Sequence, residues 1–362
     1  MKSARCAIPA LLLLLLATPA RSQTQGPGDA PIDPAEANAG SDVPPLRIRG
    51  VTLSGSLQAD AIRTTHDLLD EYRDQFLIRR TRVGLAGNLT PNVGWNLSVE
   101  FANQPGLRNA FVQVRFTRYL SARLGQSTPL TSIERTTSPT VIEFIDRTRL
   151  TSQLTYPQDI GLTLLNDKPI ARWINYSAAV INGAGFNRAD DNDAKDLVGR
   201  LELTPPSLKH TSLVVSGSSG NQPRGNRTRQ SAGFQVDAAA AKITAEALRE
   251  NDNGLAIRDG YLVSGVYRIK ARRVRPNFRM VELTARYFSF NDPLSARGLP
   301  GHVDEDASAA KGGFVPVTTR EFQGGGNYYA NRNVRVMVNV VVPVDDRTAP
   351  GTTLVSRFQV VF

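Results

Sequence analysis

Residues 76–87 read "FLIRRTRVGLAG", three arginines within four positions inside a stretch that otherwise alternates like a β-strand. Successive side chains of a strand point to opposite faces. Val83, Leu85 and Leu89 share one parity, while Arg80, Arg82, Gly84, Ala86 and Asn88 share the other. What each face borders decides where that charge can sit.

The same period of two runs through the chain from about residue 47. Val51, Leu53, Leu57, Ala59 and Ala61 alternate with Thr52, Ser54, Ser56, Gln58 and Asp60. Val93, Trp95, Leu97, Val99 and Phe101 alternate with smaller or polar residues, as do Val334, Val336, Val338, Val340 and Val342. Such alternation marks strands with one apolar and one polar face. A soluble sandwich turns the apolar face inward, whereas an outer-membrane barrel turns it to lipid and keeps a polar interior.

Strand length and loop length choose between them. Strands are expected near 47–61, 76–88, 93–103, 107–117, 119–126, 159–165, 170–182, 196–204, 210–218, 230–238, 242–250, 260–270, 278–290, 319–329, 333–342 and 352–362. Many of these suit a tilted membrane crossing. Tight connections at 90–92, 117–118, 166–169, 205–209, 239–241 and 330–332, with a basic one at 271–277, largely alternate with longer ones at 62–75, 127–158, 183–195, 219–229, 251–259, 291–318 and 343–351. The link at 104–106 is a short exception. Short turns on one side and long loops on the other identify an all-β, 16-stranded antiparallel transmembrane β-barrel with short periplasmic turns and long extracellular loops. The last strand, "LVSRFQVVF", ends on an aromatic residue, which fits the final strand of such a barrel.

With lipid outside, Arg80 and Arg82 must face the lumen, because the opposite assignment costs roughly 2–4 kcal/mol for each near the midplane. Arg79 falls on the lipid parity and, near the long-loop end, is expected to extend to the headgroups or the rim. The same test turns Arg115, Arg123, Arg200, Arg268, Lys270, Arg286, Arg335 and Arg357 inward. Glu100, Glu202, Glu246 and Glu282 are lumen acids able to pair with some of them.

The ends and the composition agree with export. Residues 1–22 have a short basic start, the apolar run Leu11–Leu16 and small residues after it, the pattern of a cleaved signal peptide. Residues 23–46, rich in Pro, Ala, Gly and Asp, read as a flexible periplasmic leader ahead of a barrel domain at 47–362. Cys6, the only cysteine, lies in the signal. The net charge of +10 favours anionic partners. Nucleic acid is not expected, because no basic helix or RNA-binding signature accompanies the charge.

Three stretches resemble the phosphate-selective porin O and P family of Gram-negative outer membranes. They are "FLIRRTRVGLAGNL", "LSARLGQSTPLTSIERTTS" and "AAVINGAGFNRADDNDAKDLVGRLELTP". The resemblance implies a homotrimeric channel in the cell outer membrane with its long third loop, here 127–158, folded into the lumen. It brings Arg135, with Arg147 and Arg149, to a constriction where Ser127, Thr128, Ser132 and Thr136 supply hydroxyls. Small inorganic anions, phosphate or polyphosphate, would pass along Arg80, Arg82, Arg115, Arg123, Arg135, Arg268, Lys270 and Arg286, with outer-membrane lipid as the surrounding partner. Arginine suits that task because its planar fork binds oxyanions in a bidentate way. Lysines are scarce, which departs from the lysine-rich approach region that the family implies.

Alternatives are a general diffusion porin without phosphate selectivity, a barrel enzyme, or an adhesin. His66, His210 and His302 fall in or beside connections with no evident nucleophile partner, so no catalytic role is expected. The acidic run at 188–196 lacks the ligand spacing of an EF-hand loop, and no metal or other cofactor is expected. "FQGGGNYY" reads as a strand whose glycines permit curvature.

Overall fold

The structure is a computed structural model that describes residues 46–48, 50–65, 74–102, 105–190, 192–222, 225–252, 256–270, 280–293, 318–344 and 351–362. Expectations for the signal, most of the leader, His66, His302 and the 271–277 turn fall outside those residues.

A short strand β1 (Leu46–Ile48) pairs with the start of β2 (Val51–Thr64). Then follow β3 (Asp74–Thr90), β4 (Val93–Glu100), β5 (Gly106–Thr117), β6 (Leu120–Ser127), β7 (Asp159–Leu165), β8 (Ile174–Ile181) and β9 (Asp196–Leu203). The second half holds β10 (Thr211–Gln222), β11 (Gly225–Asp237), β12 (Ala241–Asp252), β13 (Ala256–Lys270) and β14 (Met280–Asn291). It ends with β15 (Thr318–Tyr329), β16 (Val334–Pro343) and β17 (Thr353–Val361). Each strand from β2 onward pairs antiparallel with the next, and β17 returns to β2 with Gln359 opposite Gln58. Sixteen strands, β2 to β17, thus close into a barrel with no free edge.

The apolar faces turn outward. Leu57, Leu124, Leu197, Val215, Ile243, Leu283 and Phe358 are exposed, whereas Gln58, Gln113, Glu100, Asn339 and Arg357 are buried inside. Aromatic side chains mark two levels on the outer face. Tyr261, Tyr287 and Phe322 lie toward the long-loop ends of β13–β15, with the two tyrosine rings 6.2 Å apart. Phe234, Tyr267 and Tyr328 lie toward the opposite ends of their strands. Two such girdles fit rings seated at the two membrane–water interfaces.

Three local expectations give way. Residues 219–229 and 251–259 are not long loops: β10 pairs with β11 up to Gln222 opposite Gly225, and β12 with β13 up to Asp252 opposite Ala256. Ser, Gly, Asn and Thr there are polar on both faces, so the strand continues without the apolar alternation that would betray it. Strand β8 begins at Ile174 rather than 170, because Ala171 and Arg172 take positive φ values of 52° and 72° in a turn. The link between β4 and β5 is short, as expected.

Arg79 is the third correction. The register between β2 and β3 runs Gln58 opposite Arg80 and then Ala59 opposite Ile78, so Arg79 is the extra residue of a β-bulge. A bulge inserts one residue without a partner and resets the alternation. Above it Phe76 and Ile78 are exposed on the outer face. Arg79 itself bends inward and is no rim residue.

Candidate functional site: the lumen and its inserted loop

The connection between β6 and β7, residues 128–158, folds into the barrel. It carries two short helices, α1 (Ile133–Thr136) and α2 (Arg149–Leu154). Ser132 caps α1, its hydroxyl accepting from the Arg135 amide. Glu246 of β12 completes that cap by accepting from the amides of Ile133 (2.8 Å) and Glu134 (3.3 Å). Orphan amides at a helix start need such acceptors.

Apolar side chains fix the loop to the wall. Leu150 and Leu154 of α2 enter a cluster with Leu248, Leu262, Phe288 and Phe290 from β12–β14. Ile145 packs on Met337 and Val355, and Tyr156 on Ala179, Ile181 and Val198. These inward-facing apolar residues run against the polar-interior rule, and the loop they cover is the reason.

Ion pairs add direction. Glu134 meets Arg286 at 2.6 Å, and Glu143 meets Lys242 at 3.0 Å and Arg268 at 3.7 Å. Asp146 meets Arg80 at 3.0 Å, Arg79 at 3.1 Å and Arg357 at 3.4 Å. Loop carbonyls accept as well: Ile142 from Arg335, Ile145 from Arg357, Glu143 from Asn327 and Asp146 from Arg286. These polar ties gather on β12–β17 and β3, and on β2 through Gln58, which donates to the Pro139 carbonyl.

The expected site residues therefore divide. Arg80, Arg268 and Arg286 lie inside the barrel but hold the loop through its acids. Arg82, Arg115 and Arg123 lie on the wall from β3 to β6. Arg82 pairs with Glu100 at 3.3 Å and Arg115 pairs with Asp167, and both guanidinium-bearing side chains stay about a quarter exposed (26% and 27%). Arg123 donates twice to the Gln113 amide oxygen and lies 4.2 Å over the Phe111 ring. Arg135 sits buried on α1. Lys270 is opposite Met280 at the end of β13, its side chain outside the described residues. Arg147 donates to the carbonyls of Glu134 and Thr137 within the loop. The Thr136 hydroxyl donates to carbonyls of its own helix, so it and Ser132 serve the helix.

Four interior arginines were missed: Arg108 on β5 and three more in the second half. Arg227, Arg229 and Arg258 fall where loops were expected, and strand extension brings them into the wall. Arg258 pairs with Glu250 (3.0 Å) and Asp292 (2.8 Å), and Arg229 with Glu250 at 2.5 Å. Arg227 is 6% exposed and has no hydrogen-bond or ion-pair partner among the described residues. The alternating spacing of "RTR" was the signal available in the sequence.

Solved structures with the same architecture include the outer membrane channel DcaP of Acinetobacter baumannii. It is 14% identical with a TM-score of 0.59, covering 88% of this chain and all of that one. Pseudomonas putida OprB is 9% identical with a TM-score of 0.62, covering 86% of this chain and 94% of that one. The trimer form of Vibrio cholerae OmpT is 11% identical with a TM-score of 0.56, covering 86% of this chain and 99% of that one. At such identities the likeness is one of fold. No curated protein sequence is significantly similar to the chain. The profile of the family described as phosphate-selective porin O and P matches residues 51–238, just over half of the chain. A closed sixteen-strand barrel with an inserted loop and that match together place the chain in the phosphate-selective porin O and P family, as an outer-membrane channel of a Gram-negative bacterium.

Proposed function

We propose that the channel passes small inorganic anions, phosphate among them, by passive diffusion along its interior arginines. The observation that carries this reading is Arg227: a guanidinium 6% exposed, beside Arg229, whose buried Nε has no hydrogen-bond partner and whose nearby acid Glu250 is already paired with Arg229 and Arg258. A buried cation that must share its acid with two others is under-compensated, and a passing anion supplies what is missing. Arg82, Arg115 and Arg123 extend cationic character to the opposite wall, each with some exposure. Weak repeated sites let an ion enter and leave.

The rest of the reading follows from the family and the fold. Residues 1–22 direct export and are removed, 23–46 form a periplasmic leader, and the barrel assembles as a homotrimer in outer-membrane lipid. No enzymatic step is part of the proposal.

The test is a reversal potential in a KCl gradient across a planar bilayer containing the purified protein. A potential displaced toward chloride equilibrium is expected, and phosphate should reduce the chloride current. A cation-selective pore sinks the proposal. Chloride selectivity without phosphate competition leaves a general anion porin.

A further inference from the structure

Asp146 stands where three arginines from two distant strands of the sequence converge. Arg79 and Arg80 come from β3 and Arg357 from β17. Their Nε and Nη donors reach both carboxylate oxygens at 3.0–3.4 Å. Donors of this kind around two acceptor oxygens are the chemistry by which proteins hold carboxylates and phosphates.

The arginine frame has supports apart from Asp146. Arg357 is held by both oxygens of Asp60 at 2.8 Å, and Arg80 by the Gln58 amide oxygen at 3.0 Å. Arg79 is committed to this face by the bulge, since regular alternation would send it to lipid. The loop is likewise held apart from the Asp146 carboxylate: Ile145 is packed on Met337 and Val355, its carbonyl accepts from Arg357, and the Asp146 carbonyl accepts from Arg286. The Asp146 side chain keeps 28% exposure, whereas the side chains of Arg79, Arg80 and Arg357 behind it keep 12%, 8% and 0%. The carboxylate thus lies between the open lumen and the guanidinium groups.

We propose that Asp146 is a specificity-determining residue of the pore: its tethered carboxylate occupies an oxyanion site made by Arg79, Arg80 and Arg357 and withholds that site from passing anions. The inference rests on the reading of the lumen as an anion path. It adds that this cluster of three arginines is filled from within, so that passage depends on the sites elsewhere on the wall. A carboxylate and a phosphate are interchangeable in the chemistry of such a site, so neutralising Asp146 opens it to either.

The test compares wild type, D146N and the double variant D146N/R80Q as full-length protein in planar bilayers, with inorganic phosphate as the probe. In D146N the reversal potential should move further toward chloride equilibrium, and phosphate should inhibit chloride current at concentrations lower by about tenfold, the scale of one charge-assisted hydrogen bond. In D146N/R80Q that gain should be lost. Unchanged selectivity and unchanged phosphate inhibition in D146N overturn the proposal. So does a gain that persists in the double variant, which would report only a loosened loop. The sign of wild-type selectivity tests the anion reading separately, because the role of Asp146 is read from the difference between D146N and wild type.

Discussion

Gly325 shows how much one residue can decide in a barrel wall. It lies in "GGG" of β15, opposite Asn339 of β16, and faces inward, while Gly324 and Gly326 face outward opposite Val340 and Val338. A Cβ on Gly325 would run into the Val338 carbonyl oxygen and come within 2.8 Å of the Asn339 Cα. A Cβ on Gly324 would meet chiefly the Phe322 ring at 3.2 Å, and that ring can give way toward lipid. The backbone of β16 comes that close to Gly325, as expected where glycine permits curvature. Gly325→Ala is expected to destabilise the barrel by about 1–3 kcal/mol, the usual cost of overpacking, whereas Gly324→Ala should be close to neutral. Loss of heat-modifiable gel mobility at rising urea concentration measures both, and equal behaviour of the two variants would count against the curvature role.

At the scale of the element, the bulge in β3 decides how its three arginines are used. Arg82 and Arg80 were legible from parity, because alternation is a local property and the lipid penalty fixes its sense. Arg79 was not, because a bulge is set by pairing with β2, which no single strand encodes. The same division runs through the molecule. All sixteen strands were legible, yet the tips of β10–β13 were lost where both faces are polar, and Arg227, Arg229 and Arg258 were lost with them. The loop's acids Glu134, Glu143 and Asp146 escaped notice for a different reason: their role exists only once the loop meets the far wall.

Deleting single residues exposes the bulge directly. Without Arg79, Ile78 and Arg80 become consecutive in the ladder with Ile78 still outward and Arg80 still inward, so both faces of β3 keep their chemistry. Without Thr81, regular pairing turns Arg80 toward lipid, at roughly 2–4 kcal/mol near the midplane. Deletion of Arg79 should therefore yield folded barrel at near wild-type level, and deletion of Thr81 should reduce it sharply. Heat-modifiable mobility of outer-membrane fractions gives the yield; similar loss in both would mean that Arg79 holds the strand by more than its place in the ladder.

For the whole molecule, the inserted loop divides the interior into a braced side and an open one. Its ties run to β8, β9, β11–β17, β2 and β3, and Arg268, Arg286, Arg335 and Arg357 clamp acids or carbonyls of the loop. On the wall from β4 to β7 the cations form a file of their own. Arg108 stands at the extracellular end of β5 with its guanidinium 4.8 Å over the Phe186 ring, and Arg115 at the periplasmic end against Asp167. Arg123, paired across at Gln113, lies between them. Seven residues of strand separate Arg108 from Arg115, roughly 23 Å of wall. Current should run beside this file, and cations on the two sides should fail differently when neutralised. Arg123→Gln should lower single-channel conductance and anion selectivity while the barrel keeps its resistance to urea, because it leaves the loop's clamps intact. Arg335→Gln should act through the loop instead, since its guanidinium serves the Ile142 carbonyl and Gln359. Added current noise is expected there, with less change in reversal potential. Paired recordings of conductance and selectivity in the two variants decide it: if Arg335→Gln shifts selectivity as far as Arg123→Gln does, the path does not favour the β4–β7 wall.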